Sequence, residues 1–323
     1  MVRSVNKLDT PAAIADPGDR LGRGYLICLI ATIFWSTTAI FIRYLIQNYS
    51  MPPLLLAFWR DLFTSITVAI ALAIISRPLL RVERRHLAFL AGYGLALAFL
   101  NTSWTISVAL NGAAVSTVLV YSSPAITAVV AWRLFGEPLD RVKIAAVILS
   151  LLGCALVSGA YLPGMWQLNL IGVTTGLLSG LAMAIYNLMG KAAALRQINP
   201  WSTLLYSFAG AAAVLLVINL SSLGQAEGLA RPDLLWLGKA LTAWLVLAIL
   251  AMGPTIGGYG LYIVSLGYLP AGVANLIATL EPVFTAILAY LLLAERLSAV
   301  QLLGSALVAA GIVLLRIQER QAR

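Results

Sequence analysis

Glu281 is the residue with the greatest capacity for chemistry, because it lies in a long apolar stretch directly before Pro282. An ionised carboxylate inside hydrocarbon costs at least about 2.5 kcal/mol, so this side chain is expected to face a cavity, to bind a partner or to be protonated. It could contact the amino group of a small molecule or exchange protons. The alternative interpretation is a neutral, hydrogen-bonded glutamate with a structural role.

Aromatic and amide side chains in other apolar stretches could form a cavity wall around this acid. Asn101 and Trp104 follow the spacing i, i+3 and share one helix face, and Tyr259 and Tyr262 do the same further along the chain. A pocket of aromatics with a few amides and one acid suits a small amphipathic or apolar zwitterionic solute. Helix packing is the alternative. The predicted substrate-binding residues are Trp35, Asn101, Trp104, Tyr121, Tyr186, Asn187, Tyr259, Tyr262 and Glu281.

Three prolines within apolar stretches, Pro124, Pro254 and Pro282, predict kinked helices that border the same cavity and take part in gating. A proline in mid-helix removes one backbone hydrogen bond and displaces the carbonyl four residues earlier. In hydrocarbon such a carbonyl must face protein or a wet cavity. Ordinary packing kinks are the alternative interpretation.

The adjacent residues Arg60 and Asp61 also admit two interpretations. Neighbouring helical residues point about 100° apart, so both cannot face one narrow site. An ion pair with neighbouring helices or with water is therefore favoured. Arg60 could instead bind a substrate carboxylate, because a guanidinium group matches a carboxylate with two hydrogen bonds.

Residues for catalysis or metal binding are scarce. The sole histidine, His86, is flanked by Arg84 and Arg85, and no nucleophile, metal or phosphate motif has the surroundings that it requires. The two cysteines, Cys28 and Cys154, lie inside apolar stretches and predict neither a disulfide nor a metal site. We therefore expect no enzyme activity, no cofactor and no metal.

Composition requires a lipid bilayer as a partner. Of the 323 residues, 61% are hydrophobic and only 10% are charged, against about 25% charged in soluble domains. The net charge of +9 lies in short loops between apolar stretches rather than in a basic stripe, so nucleic acid is not expected as a partner.

Ten apolar stretches have about the 20 residues that a helix needs to cross a bilayer. Turn signals separate several of them: Asn111-Gly112, Leu269-Pro270, and the expected helix N-caps Asp140 and Ser298. The predicted spans are about 24–46, 52–75, 87–110, 113–135, 140–160, 168–193, 201–222, 240–266, 271–293 and 298–316.

A duplication organises these spans. Residues 116–157 match residues 274–315 without a gap, and the match aligns Pro124 with Pro282 and Glu137 with Glu295. Five spans in each half force the second half to enter the membrane upside down. The sequence therefore predicts an all-α membrane protein with two inverted-topology repeats, 24–160 and 168–316.

Lysine and arginine set the expected orientation. With the N-terminus in the cytoplasm, sixteen of these residues fall on the inner side and four on the outer side, as the positive-inside rule requires. Residues 1–23 and 317–323 are then expected to be short cytoplasmic tails.

Three stretches carry a resemblance: Phe34-Trp35-Ser36-Thr37, Pro124…Phe135-Gly136-Glu137-Pro138 and Glu281-Pro282…Ala294-Glu295-Arg296. With the ten spans and the duplication, residues 20–318 resemble the EamA-type members of the drug/metabolite transporter superfamily. Similar proteins export metabolites, including aromatic and other amino acids, from the bacterial cytoplasm. The resemblance implies structural or gating roles for Glu137 and Glu295, the acids that end each repeat.

The preferred hypothesis is a bacterial inner-membrane exporter of small metabolites, most plausibly amino acids, that works as a monomer by alternating access around a central cavity. Its driving force is either uniport or proton exchange. The first alternative is an exporter of drugs or quaternary cations, which aromatic cages attract. The second is a membrane-embedded enzyme or lipid-handling protein, for which the sequence offers no convincing nucleophile, metal or acid–base pair near one interface.

Overall fold

The chain folds into helices, and a computed structural model describes residues 17–162, 169–221, 228–293 and 298–321, which contain no strand. A helix satisfies every backbone polar group internally, as the hydrocarbon core demands. A π-helical segment, Ala251–Gly260, joins α8 to α9. The helices are α1 Pro17–Tyr49, α2 Pro53–Ile75, α3 Arg84–Val120, α4 Ser123–Phe135, α5 Arg141–Val157, α6 Leu170–Leu195, α7 Pro200–Leu220, α8 Leu241–Leu250, α9 Leu261–Leu266, α10 Ala271–Ala278, α11 Glu281–Leu293 and α12 Ala299–Gln321.

Nine helical stretches of the described residues are long and apolar enough to cross a bilayer, judged by length and composition. They correspond to the predicted spans one to four and six to ten, which confirms an all-helical, multi-span protein. The predicted fifth span corresponds to α5, which has 17 residues and is just too short to be counted with these nine. The number of ten spans therefore stays a prediction. Large apolar side chains such as Ile74 and Leu170 are exposed, as expected where lipid covers the surface.

The ends of the chain differ from the predicted tails. Helix α1 begins at Pro17 and α12 continues to Gln321, so both helices extend into segments that the sequence assigned to tails. Residues 1–16 of the N-terminal tail lie outside the described part of the chain.

The predicted turn signals act where expected. Gly112 has a φ of 80° and breaks α3 into two helical parts, and Pro270 is the N-cap of α10. The Asp140 side chain accepts a hydrogen bond from the Lys143 backbone N–H at 2.8 Å. Ser298 and Gln301 form a reciprocal capping box with distances of 2.9 and 3.2 Å.

The prolines do more than kink their helices. Pro124 and Pro282 each lie in the first turn of a new helix, α4 or α11, after a short break formed by the turn 121–122 or 279–280. A proline at the start of a helix loses no hydrogen bond, so each predicted kink takes the form of a two-residue turn, in which Ser122 and Thr279 keep helical dihedral angles. Pro254 lies inside the π-helical segment, where the Thr255 hydroxyl donates to the Leu250 carbonyl at 2.8 Å.

The pattern of helix contacts stays the same when each span is replaced by the span at the same position in the other half of the chain. Spans at the same position in the two halves pack together: the second with the seventh (α2 and α7), the fourth with the ninth (α4 and α10), and the fifth with the tenth (α5 and α12). The first span contacts the eighth, through α1 and α9, and the third contacts the sixth, through α3 and α6. This pattern is that of a two-fold relation, and it supports the predicted repeat without establishing its inversion.

Small residues allow the closest of these approaches. A side chain at Gly172, Gly176 or Gly180 of α6 would collide with Asn111, Ser107 or Leu119 of α3, or with Ser122. Gly153 of α5 lies directly against the backbone of Gly304 in α12. Small residues at this spacing let two membrane helices approach closely, so the three α6 glycines serve helix packing.

Candidate functional site

A cavity of about 160 Å³ lies between the two halves, and seven spans line it. Its lining residues Arg60, Trp104 and Thr117 lie nearer to the span ends at Pro53, Val108 and Val115 than to the opposite ends. On this membrane side the Trp236 indole donates to the Tyr49 carbonyl and the Leu54 N–H donates to the Leu229 carbonyl. We call this the 229–236 side. The lining residues are Trp35, Thr38, Ile42, Arg60, Leu100, Asn101, Trp104, Thr117, Val120, Tyr121, Ser123, Met183, Thr255, Tyr259 and Glu281.

Six of the nine predicted substrate-binding residues line this cavity: Trp35, Asn101, Trp104, Tyr121, Tyr259 and Glu281. The other three, Tyr186, Asn187 and Tyr262, are fully buried next to it and are absent from its lining. Substrate binding by any of the nine stays a prediction.

The aromatic wall is built around Trp35. Its ring lies 4.8 Å from the Tyr259 ring at an interplanar angle of 74° and 4.8 Å from the Tyr262 ring at 39°. Tyr186 meets Tyr259 edge-on, with ring centroids 5.7 Å apart. Glycine at 258 makes this arrangement fit, because any side chain there would collide with the Trp35 indole.

Glu281 lies at the first residue of α11, beside the break at mid-span. Tyr121, at the equivalent break before α4, donates a hydrogen bond from its hydroxyl to Glu281 Oε2 at 3.0 Å. The N-terminus of a helix carries a partial positive charge that favours a carboxylate. The two helix breaks therefore meet at the cavity and place its acid there.

Arg60 and Asp61 bind each other, contrary to the partners expected from their helix positions. The Arg60 atoms Nε and Nη2 donate to Asp61 Oδ1 at 3.1 and 3.0 Å, because the long arginine side chain bends back over its neighbour. Asn101 Nδ2 donates to Asp61 Oδ2 at 3.1 Å. Asp61 is fully buried, whereas Arg60 lines the cavity.

On the opposite membrane side a buried carboxylate joins two segments of the chain. Glu137 accepts hydrogen bonds from the backbone N–H groups of Ala271 and Gly272, at 2.6 and 3.2 Å, and from Lys143 Nζ at 3.2 Å. It thus caps the N-terminus of α10, and the structural or gating role implied by the resemblance stays a prediction. Its repeat counterpart, Glu295, lies outside the described residues. We call this the Glu137 side.

Comparison with known proteins decides the family. The sequence pattern of the EamA-like transporter family matches residues 22–159 and 170–317, which is most of the chain. The chain belongs to this family. The resemblance drawn from the helix-ending motifs is therefore confirmed.

Relatives of this EamA-like transporter are distant but extend over its length. A probable amino-acid metabolite efflux pump of Salmonella typhimurium is 25% identical over 88% of this chain and 92% of its own length. An uncharacterized transporter of Synechocystis is 24% identical over 92% of this chain and 94% of its own. A solved crystal structure shares the fold, with a TM-score of 0.75, 17% identity, and coverage of 92% of this chain and 99% of the other.

Sequence reasoning missed several residues of this transporter's cavity. Thr38, Thr117 and Thr255 supply hydroxyl groups, and Ile42, Leu100, Val120 and Met183 supply apolar contact. Threonine and aliphatic side chains are common throughout membrane helices, so their types carry no signal. Spacing could have found Thr38, which lies three residues after Trp35 on the same helix face.

Proposed function

We propose that this EamA-like transporter exports small amino acids or closely related zwitterions. One observation carries the proposal: the same cavity is lined by a cation, Arg60, and an acid, Glu281, between aromatic rings. Arginine binds a carboxylate with two hydrogen bonds, and a carboxylate in a pocket of low polarity binds an ammonium group. These are the two charges of an amino acid.

The size of the cavity supports a small solute. A volume of 160 Å³ has room for on the order of ten water-sized spheres, which is close to the number of heavy atoms in an amino acid. The names of two bacterial relatives, the probable amino-acid metabolite efflux pumps of Salmonella typhimurium and Escherichia coli, support the same substrate class and the direction of transport.

A drug or quaternary cation is the second candidate substrate. The rings of Trp35 and Tyr259 beside Glu281 favour it, because aromatic faces attract cations. Arg60 opposes it, since its guanidinium group lines the same cavity and offers hydrogen-bond donors that a quaternary cation has no carboxylate to accept. These donors are the reason for preferring the zwitterion.

We further propose two inverted halves in the bacterial inner membrane, with both termini in the cytoplasm and alternating access around the cavity. The exchange-symmetric packing pairs and the excess of basic residues on one side support this arrangement. Cysteines placed singly at the exposed positions Arg81 and Asp233, which lie in equivalent loops of the two halves with five predicted spans between them, should react with an impermeant thiol reagent from opposite faces in a Cys28→Ala/Cys154→Ala background. Labelling of both from one face would refute the inverted arrangement.

Transport by the purified protein in liposomes tests the substrate and the driving force together. Wild type should move labelled amino acids and not lipophilic cations, and Glu281→Gln should slow this by about 10- to 100-fold, the worth of a charge-assisted hydrogen bond to the ammonium group. If transport is coupled to proton exchange, a pH gradient should accelerate amino-acid transport by wild type and not by Glu281→Gln. Glu83→Gln, the same change at an exposed acid, should have no effect. If wild type transports only lipophilic cations, the proposed substrate is wrong. If Glu281→Gln has the transport rate and pH response of wild type, coupling through Glu281 is excluded.

A further inference from the structure

We infer that the packed region between the cavity and the Glu137 side contains a second, concealed part of the solute pathway, lined by Asn187 and Tyr262 at the contact of α6 with α9. This inference rests on the proposed export of a small zwitterion and assigns a transit site to it. The site would bind the polar groups of the solute through a neutral amide and a phenol.

Asn187 is the first observation. It is fully buried, and neither its Nδ2 nor its Oδ1 has a hydrogen-bond partner among the described residues. The side chain can donate two hydrogen bonds and accept two, so leaving all of them unmade penalises this conformation. The Tyr262 hydroxyl, equally buried, also has no partner in the described part of the chain.

Other buried asparagines in the described residues are treated differently. Asn219 donates from Nδ2 to the carbonyls of Leu54 and Leu215, at 3.2 and 2.8 Å, and accepts from the Arg231 N–H. Asn275 donates to the Thr127 hydroxyl at 2.9 Å although its Oδ1 has no partner among the described residues, and Asn101 donates to Asp61. Each of these amides thus makes at least one hydrogen bond, whereas Asn187 makes none in the described part of the chain.

The position of Asn187 supplies the second observation. On α6 it lies one turn beyond Met183, which lines the cavity, and one turn before Lys191, whose Nζ donates to the Leu266 and Leu269 carbonyls at 3.0 and 2.8 Å. Residues four apart lie on one helix face. This face of α6 thus runs from the cavity, past the unpaired amide, to the contact that closes the Glu137 side.

The facing element shows the same order. Tyr259 lines the cavity, Tyr262 follows one turn later with its unpaired hydroxyl, and Leu266 ends the helix. Gly190 on α6 allows Leu266 to approach so closely that a side chain at this glycine would collide with it. The contact is therefore tight in this conformation, and separation of α6 from α9 would expose both polar groups along one path.

Alternating access gives these groups a purpose. A polar group that is buried without a partner in one conformation can find its partner in another, so that its cost in the first state is offset in the second. When the Glu137 side opens, the amide and the phenol would face the passage below the cavity. They carry no charge, so they would assist a zwitterion in transit without retaining it.

Asn187→Leu tests this site, because leucine has a similar volume and no polar atoms. In the purified full-length protein it should raise the thermal unfolding midpoint, yet slow amino-acid transport by about tenfold, the loss expected for one hydrogen bond to the moving solute. Asn219→Leu, the same change at a fully paired amide, should lower the midpoint instead. A variant Asn187→Leu that transports like wild type, or that unfolds at a lower temperature, would overturn the inference.

Thiol accessibility provides a readout that does not depend on transport. Asn187→Cys, in a Cys28→Ala/Cys154→Ala background, should react slowly with an impermeant reagent applied from the Glu137 side and at least about fivefold faster when Glu137→Gln loosens that side. Equal protection in both proteins would contradict a concealed pathway. If wild type moves no amino acid while the cysteine still becomes reactive, the proposed substrate is wrong and the pathway stands.

Discussion

A variant that combines Arg60→Gln with Asp61→Asn is expected to fold like wild type but to transport amino acids at least about 30-fold more slowly. Loss of one partner from a buried charge pair costs about 2–5 kcal/mol, and each 1.4 kcal/mol is about a factor of ten. The pair in question is the one that Arg60 would form with the substrate carboxylate. Initial rates in liposomes, with the thermal unfolding midpoint of the same preparation, measure both expectations.

The double change is needed because Arg60→Gln alone leaves an isolated charge. Asp61 is fully buried and would keep only the hydrogen bond from Asn101 Nδ2, so the single variant should lose about 3–5 kcal/mol of stability. Asn at position 61 removes that charge and should restore the midpoint without restoring transport. Restored transport in the double variant would show that Arg60 serves structure alone.

A substrate control isolates the carboxylate. Amines that lack the carboxyl group of the parent amino acid should be poor substrates of wild type, and the double variant should not transport them any more slowly. Arg60→Lys should fall between wild type and the double variant, because lysine keeps the charge but not the planar fork that binds a carboxylate with two hydrogen bonds. Equal slowing of amino acids and amines would point to a damaged cavity.

The parts of the fold that local chemistry dictates could be predicted from the sequence. Hydropathy located nine spans, and short-range signals placed the break at Gly112 and the helix starts at Pro270, Asp140 and Ser298. Each of these signals acts within one turn of the residue that carries it. Helix orientation across the bilayer involves no such local signal and stays a prediction.

The faces of the helices could not be predicted as well. In a membrane helix both the packed face and the lipid face are apolar, so the polar periodicity that marks the inner face of a soluble helix is weak. Trp104 lines the cavity whereas its repeat counterpart Tyr262 is buried behind it, although both are aromatic residues at equivalent positions. Only the three-dimensional packing distinguishes them.

The length of the arginine side chain explains why the predicted partners of Arg60 were wrong. The angle of about 100° between adjacent helical residues applies to the Cα–Cβ directions, and an arginine has enough rotatable bonds to return to the next residue. The ion pair Arg60–Asp61 is thus compatible with one wall of one cavity. The breaks at Pro124 and Pro282 were underestimated for a related reason: a proline can begin a helix as well as bend one, and sequence alone does not distinguish the two.

The second large effect is expected at the closed end of the transporter, where Glu137→Gln should destabilise the closed Glu137 side. Glu137 and Lys143 are both buried, and the carboxylate also accepts the N–H groups of Ala271 and Gly272. Glutamine keeps the shape, but its NH₂ group would point a donor at other donors and leave the Lys143 charge unpaired. Breaking a buried pair in this way costs about 3–5 kcal/mol, so the thermal unfolding midpoint should fall and the Glu137 side should open more often.

Lys143→Met is the matched test of what the carboxylate does. It removes the same ion pair but leaves Glu137 bound to two N–H groups at the positive end of α10, so it should cost clearly less than Glu137→Gln. The variant that combines Glu137→Gln with Lys143→Met should be more stable than Glu137→Gln alone, since it contains no unpaired lysine. If the two single variants unfold at the same temperature, the ion pair alone holds this side and the cap on α10 contributes nothing. If Glu137→Gln has the same thermal unfolding midpoint as wild type, Glu137 does not hold the Glu137 side closed. The apolar contact of α6 with α9 must then close that side.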